Sequence, residues 1–119
     1  MHKYLQGSLL LGLLSLVTTQ CYALPELVLE IRDHLFFPSQ LNVPADKKLR
    51  LTIINHDNTP EEFDSFDLNR EKVIFANSQT RIFIGPLNPG EYAFFGEFNP
   101  STARGKIIVV NHTDDQNAN

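Results

Sequence analysis

Apolar and polar residues alternate along most of the chain after residue 24, and proline, glycine and asparagine interrupt the alternation at short intervals. A period of two is typical of strands with one buried face, and the interruptions are turn signals. The pattern predicts strands near residues 27–31, 40–44, 49–55, 73–75, 80–84, 92–95 and 106–110, with 33–38 as an irregular link. No stretch keeps a helical spacing long enough to predict a layer of helices. We therefore expect an all-β chain of about seven to eight strands, folded as a Greek-key antiparallel β-sandwich.

The first 23 residues have the pattern of a secretory signal. Lys3 gives a basic start, residues 9–17 are mostly apolar, and Cys21 and Ala23 are small residues before a predicted cut after Ala23. An uncleaved anchor is the alternative, but the apolar run is shorter than the roughly 20 residues of a spanning helix. Lipidation at Cys21 is a second alternative, and the residues before it match that signal poorly.

Cleavage at this position would define three segments and a compartment. Residues 1–23 would be a signal peptide, 24–111 one domain and 112–119 a disordered polar tail. The expected location is the periplasm, with no stable membrane insertion after cleavage. The remaining 96 residues suffice for a single core.

Charge and cysteine content limit the chemistry of this mature chain. Removing Lys3 leaves nine basic against 14 acidic side chains, a net charge of about −5, which disfavours nucleic acid and anionic lipid as partners and allows cations. Cys21 is the only cysteine, so the mature chain has no thiolate and a blue-copper centre is not expected. The motifs of serine hydrolases, phosphate-binding loops and zinc proteases are absent, so no enzyme activity is expected.

The segment 90–110 carries a family resemblance. Tyr92 and Phe94 lead into a loop, and Gly105 then opens an apolar strand, an arrangement that resembles the C-terminal end of a cupredoxin. Residues 37–45 resemble the opening strand of the same family. Position by position, the resemblance matches the copper-binding Cys to Gly96, the loop His to Asn99 and the Met to the neighbourhood of Ala103.

A narrower resemblance covers residues 59–65, 71–73 and 95–105, which look like the EfeO-type cupredoxin-like domains. These form a bacterial exported group associated with iron uptake and iron permeases. The resemblance implies a metal ion, iron or copper, as ligand, and an inner-membrane iron permease or another periplasmic uptake protein as partner.

Carboxylates occupy the loops where a cupredoxin holds its ligands. Glu61, Glu62 and Asp64 stand in the stretch of the first His, and Glu97 lies in the second loop. The two loops meet at one end of such a sandwich, so these groups could converge on a hard cation such as iron(III). His56, just upstream, is a weaker candidate ligand.

Each of these candidates also has a plain structural interpretation. An acidic run is more often a solvated surface than a site. Arg104 could pair with Glu97 or Asp64, which would compete with metal binding, and His34 is expected at the surface. The nine phenylalanines are expected to lie mostly in the core.

Two functions from different classes follow. The first is an exported cupredoxin-like protein that binds iron or copper through loop carboxylates and serves periplasmic metal uptake. The alternative is a metal-free cupredoxin-like interaction module that docks to a permease or a periplasmic partner.

Overall fold

The computed structural model describes residues 3, 7, 12–20 and 24–111. The predicted tail, 112–119, and much of the predicted signal segment lie outside the described residues. Residues 12–20 have no regular secondary structure. Within the described ranges, no helix is long and apolar enough to cross a bilayer.

The described chain forms two β-sheets. The strands are β1 (Glu26–Arg32), β2 (Leu35–Phe37), β3 (Gln40–Pro44), β4 (Leu49–Asn55), β5 (Glu61–Ser65), β6 (Arg70–Ile74), β7 (Gln79–Ile84), β8 (Gly90–Gly96) and β9 (Arg104–Val110). One sheet has the order β2-β1-β4-β7 and the other the order β3-β9-β8-β5-β6. The all-β sandwich expected from the sequence is confirmed.

Two details of the predicted fold are wrong. The described residues form nine strands rather than seven or eight, because residues 35–37 and 61–65, expected as an irregular link and an acidic loop, pair as the strands β2 and β5. The sandwich is also not purely antiparallel, since β1 runs parallel to β4 and β3 runs parallel to β9. Alternation reports which face of a strand is buried, but not the direction of its neighbour.

The core lies between the sheets and is built from alternate positions of each strand. Phe36, Phe63 and Phe94 meet there, with ring centroids 5.1 to 6.2 Å apart. The expectation that most phenylalanines are buried is wrong, because only these three of the nine are. Phe66 and Phe75, for example, are 80% and 71% exposed, since each lies just beyond the end of a strand.

Four connecting segments, 33–34, 56–60, 75–78 and 97–103, lie at one end of the sandwich, here called the loop end. Buried Asn55 joins two of them, because its side-chain amide donates to the carbonyls of Thr59 (2.8 Å), Ile74 (3.2 Å) and Phe75 (3.3 Å). The carboxylate of Asp57 accepts the backbone N–H groups of residues 33 and 34. The loop end is therefore held together by side chain to backbone hydrogen bonds.

Candidate functional site

Glu61 lies at the centre of the loop end, where β5 begins. It lies two residues before core residue Phe63 in the same strand, so both side chains are on the face that points between the sheets. Glu61 is only 1% exposed. Its Oε1 accepts the backbone N–H groups of Glu62 (2.9 Å) and Phe98 (3.0 Å). Its Oε2 accepts the side-chain N–H of Asn99 at 2.8 Å. Three donors therefore satisfy this buried carboxylate, as burial of a charge requires.

The loop from residue 97 to residue 103 is closed around Asn99. The Asn99 N–H donates to the carbonyl of Gly96 (3.1 Å), and its carbonyl accepts from Ala103 (2.9 Å) and Thr102 (3.2 Å). Gly96 and Ala103 are joined by a further backbone bond of 2.8 Å. The loop therefore has a fixed turn conformation, and Glu61 anchors it to β5.

Gly96 is required by this packing. A Cβ atom at this position would lie 2.6 Å from the carboxyl carbon of Glu61 and 2.8 Å from the Cβ of Ala103. Real Cβ atoms essentially never lie this close to another heavy atom, so the Glu61 carboxylate and Ala103 would both have to shift. The Glu61 carboxylate thus takes the space that a side chain at position 96 would need, and position 96 is the one that the cupredoxin resemblance assigns to the copper-binding Cys.

The residues at these positions do not suit a blue-copper ion. Such a site needs a thiolate and two imidazoles, with a weak axial partner. Gly96 and Ala103 offer no ligand atom, and the side-chain nitrogen of Asn99 donates to Glu61 (2.8 Å) and lies 3.4 Å from Nδ1 of His34. The single carboxylate present already has donors on both oxygens.

The other acidic residues lie on the opposite surface of β5. Glu62 and Asp64 alternate with Phe63 and face away from the core, and Glu97 is joined to Glu62 by a backbone hydrogen bond of 2.9 Å. Glu71 on β6 stands directly opposite Asp64. We call these four residues, Glu62, Asp64, Glu71 and Glu97, the acidic face. Sequence reasoning missed Glu71, although pairing the acidic run with the following hairpin strand would have found it.

Mutual repulsion marks the acidic face. The pKa of Glu62 is raised above its ordinary value, first by desolvation and then by the charges of Glu71, Asp64, Glu97 and Glu61, in that order. Glu62 and Glu97 thus lie near enough for their charges to interact, but the described residues place no third ligand with them in a metal-binding arrangement. Glu61, however, lies on the inward side and belongs to the loop network.

His56 lies apart from both groups. Its Nε2 is 3.0 Å from a carboxylate oxygen of Glu30 and 3.4 Å from the guanidinium of Arg32. The hydrogen bond from His56 is the main cause that lowers the pKa of Glu30. His34 is an exposed residue whose Nδ1 is 3.6 Å from Asp57.

The five predicted ligands are therefore divided among three places: the loop network, the acidic face and the Glu30 cluster. Across residues 24–111 and the other described positions, no group of three or more His, Cys, Asp or Glu side chains is arranged to hold a metal ion. Within the same ranges, Arg104 forms no ion pair with Glu97 or Asp64.

Comparison with known proteins agrees with this fold. The family model described as "Cupredoxin-like domain" matches residues 8–109. An uncharacterized protein of Rickettsia prowazekii (strain Madrid E), RP394, is 46% identical over 84 residues, which cover 71% of this chain and 67% of that protein.

Solved structures of low identity share the fold. The Cu(I)-containing metal-binding domain of the Streptococcus pneumoniae Cu(I)-exporting P-type ATPase CopA aligns with a TM-score of 0.61 and 14% identity, over 71% of this chain and 84% of that chain. A reduced Cu(I) form of an amicyanin mutant aligns with a TM-score of 0.58 and 17% identity, over 75% and 86% of the two chains. Together with the family match, these findings show that the chain belongs to the cupredoxin-like domain family.

Proposed function

We propose that this chain is an exported cupredoxin-like domain that works without a metal at the family's copper position, as a module that binds a protein partner. One observation carries the proposal. The buried Glu61 carboxylate is saturated by Glu62, Phe98 and Asn99, and it fills the place of the metal-binding side chain at position 96.

The energetics favour this closed network over a metal at the same position. A metal ion bound by Glu61 would displace hydrogen bonds from Phe98 and Asn99 and leave these donors without an acceptor. Each unsatisfied buried donor costs about 1–3 kcal/mol. Gly96 and Ala103 would supply no ligand to such a metal, and of the described residues around Asn99 only His34, whose Nδ1 lies 3.4 Å from the Asn99 side-chain nitrogen, offers an imidazole.

The loop end has the surface of a binding module. Phe98 is 50% exposed and Phe75 is 71% exposed. Phe75 follows β6 and Phe98 follows β8, the two strands that pair with β5. Exposed aromatic side chains are common anchors of protein interfaces. Because Glu61 and Asn99 already fix the loop, little conformational entropy would be lost when a partner binds. A permease or another uptake protein of the cell envelope is the partner class that the EfeO-type resemblance suggests.

Metal binding by the outward carboxylates is the competing proposal. It is favoured by one observation, the crowding of negative charge around Glu62, which a cation would relieve. Such oxygen ligands suit iron(III) better than Cu(I), which prefers thiolate and thioether sulfur. Under this proposal the protein would hold iron for an uptake system, as expected from the EfeO-type resemblance.

Isothermal titration of the chelator-treated full chain with iron(III)-citrate and with Cu(II) would separate the two proposals. The module proposal predicts no saturable binding of either metal by a chain whose fold is verified by circular dichroism. Binding that is lost in Glu61→Gln would overturn the proposal. Binding that persists in Glu61→Gln, but is lost in the double variant Glu62→Gln with Glu97→Gln, would establish the competing carboxylate site. Glu91→Gln, on the same sheet, is the matched control.

A further inference from the structure

The acidic face lacks internal partners. In the described part of the chain, no ion pair or side-chain hydrogen bond involves the carboxylates of Glu62, Asp64, Glu71 or Glu97, whereas other carboxylates pair with Arg32, Arg50, Lys106 or histidine. These four carboxylates therefore lie together on one surface and form no ion pair with the described residues, as is also true of Asp33, Asp46 and Asp67 elsewhere.

Asp64 is the clearest case. The residue is only 4% exposed, yet no donor among the described residues reaches its carboxylate, and Glu71, another carboxylate, is its direct cross-strand neighbour. Buried charges are normally paired, and like charges directly opposite on a sheet are destabilising. Glu61, three residues away and equally buried, has three donors. The Asp64 oxygens are not among the fully buried, unpartnered side-chain atoms of the described residues, so they still reach solvent, and a bound cation would replace that solvent as their partner.

A cleft of about 330 Å³ opens beside Asp64 and is lined by Asp64, Ser65, Phe66, Asn69, Arg70 and Glu71. One wall is aromatic, since the ring of Phe66 is 80% exposed and lies 5.5 Å from that of Phe95. Arg70 also lines the cleft with its positive charge, but in the described residues it forms no ion pair with these carboxylates, and its guanidinium donates to the carbonyls of Phe83 (3.1 Å) and Asn69 (2.9 Å). The cleft therefore combines two carboxylates with an exposed aromatic ring.

The shape of this cleft suits an organic cation better than a metal ion. The described carboxylates do not converge as a metal requires. A guanidinium group is planar, carries five donors that can bridge separated carboxylates, and stacks on aromatic rings. An ammonium group is a more strongly hydrated point charge and gains less from the ring.

We propose, building on the module function above, that the acidic face binds an arginine-bearing segment of the protein partner. The guanidinium lies between Asp64 and Glu71 and stacks on Phe66. Glu62 and Glu97, on the same face toward the loop end, add a negative field that attracts a basic segment.

Nuclear magnetic resonance of the ¹⁵N-labelled full chain tests this inference with a capped Gly-Arg-Gly-Arg-Gly peptide at low salt. We expect saturable shifts of the amides of residues 62–71 and 95. The same peptide with lysine should bind about two- to fivefold more weakly because it loses stacking. The peptide with citrulline, which has arginine's shape but no charge, should cause no shifts.

Variants complete the test. Glu71→Gln should weaken the arginine peptide about two- to fivefold, and the double variant Asp64→Asn with Glu71→Gln about tenfold. Glu91→Gln, an exposed carboxylate on the same sheet, should leave affinity unchanged. Equal binding by the double variant and the control, equal binding of the citrulline peptide, or displacement of the peptide by stoichiometric iron(III) or calcium would each overturn the inference. Failure here leaves the metal-free module intact, because that proposal is decided by the metal titration of Glu61→Gln.

Discussion

The carboxylate of Glu61 and the side-chain nitrogen of Asn99 lie 2.8 Å apart, and the cupredoxin resemblance matches these positions to a stretch and a loop that hold imidazole ligands in blue-copper proteins. In such a protein, a metal ion joins the two loops. In this chain, a buried carboxylate joins them through one side-chain and one long-range backbone hydrogen bond. The geometry of the loop end is thus maintained by hydrogen bonds within the chain.

Replacement of Glu61 by Gln should therefore destabilise the fold. Gln keeps the size of the side chain but removes its charge and replaces one acceptor oxygen with a donor, so the buried donors of Phe98, Asn99 and Glu62 either share one oxygen or require the Asn99 amide to turn over and lose its present contacts. We expect the free energy of unfolding in urea to fall by about 2–4 kcal/mol. Glu91→Gln, whose side chain is exposed, should change it by less than about 0.5 kcal/mol. Equal stability of the two variants would mean that the network contributes little.

A second prediction concerns the contact between Gly96 and Glu61. Gly96→Ala adds a Cβ about 2.6 Å from the Glu61 carboxyl carbon, and overpacking of this kind costs about 1–3 kcal/mol. In a double-mutant cycle with Glu61→Ala, the cost of Gly96→Ala should become smaller, with a coupling energy of at least about 0.5 kcal/mol. Relief should be incomplete, since the Cβ of Ala103 stays 2.8 Å away. Strict additivity of the two changes would contradict the proposed steric relationship.

Much of the sandwich is encoded locally. Residues 40–44 and 49–55 were predicted as strands and form β3 and β4 with the same bounds, because alternation and the following proline or asparagine define both. The parallel pairing of β1 with β4 was not predictable from a period of two. The pairing depends on the assignment of strands to sheets: β3 joins the other sheet, and β4 then returns to pair with β1.

The site was less predictable for a related reason. Glu61 and Glu62 are adjacent in the sequence and look alike, yet strand geometry sends their side chains to opposite faces. The two-residue spacing between Glu61 and Phe63 predicts that Glu61 faces the core. The donors that bond Glu61 could not be predicted in this way, because residues 98 and 99 lie 37 and 38 positions further along the chain. No local pattern encodes contacts at that separation.

The third prediction uses the opposite pKa shifts of two glutamates. The folded-state pKa of Glu62 is raised, so its charged form disfavours folding, and this penalty is present above that pKa and disappears as pH falls below the unfolded value. We therefore expect Glu62→Gln to raise the melting temperature at pH 7 and to have little effect near pH 3. Circular dichroism melts at a series of pH values would measure this.

Glu30 provides the comparison of opposite sign. Its folded-state pKa is lowered, mainly by the hydrogen bond from His56, so its charged form favours folding above the unfolded pKa, and this contribution is lost as pH falls through the folded value. Glu30→Gln should therefore lower the melting temperature at pH 7 and lose that effect at low pH. The same sign of effect for both variants at pH 7 would contradict the assignment of the two environments.

The last prediction is that a copper-binding side chain can be introduced at position 96 only when the Glu61 carboxylate is removed. Cys alone at position 96 should destabilise the chain by about 1–3 kcal/mol and fail to bind copper as a thiolate site, because the Glu61 carboxylate occupies the space around its Cβ. When Gly96→Cys is combined with Glu61→His and Asn99→His, the carboxylate is gone and a thiolate with two imidazoles is available. Addition of Cu(II) should then produce the intense visible absorption of a copper–thiolate bond. That absorption in the single Gly96→Cys variant, at wild-type stability, would show that Glu61 does not close the position.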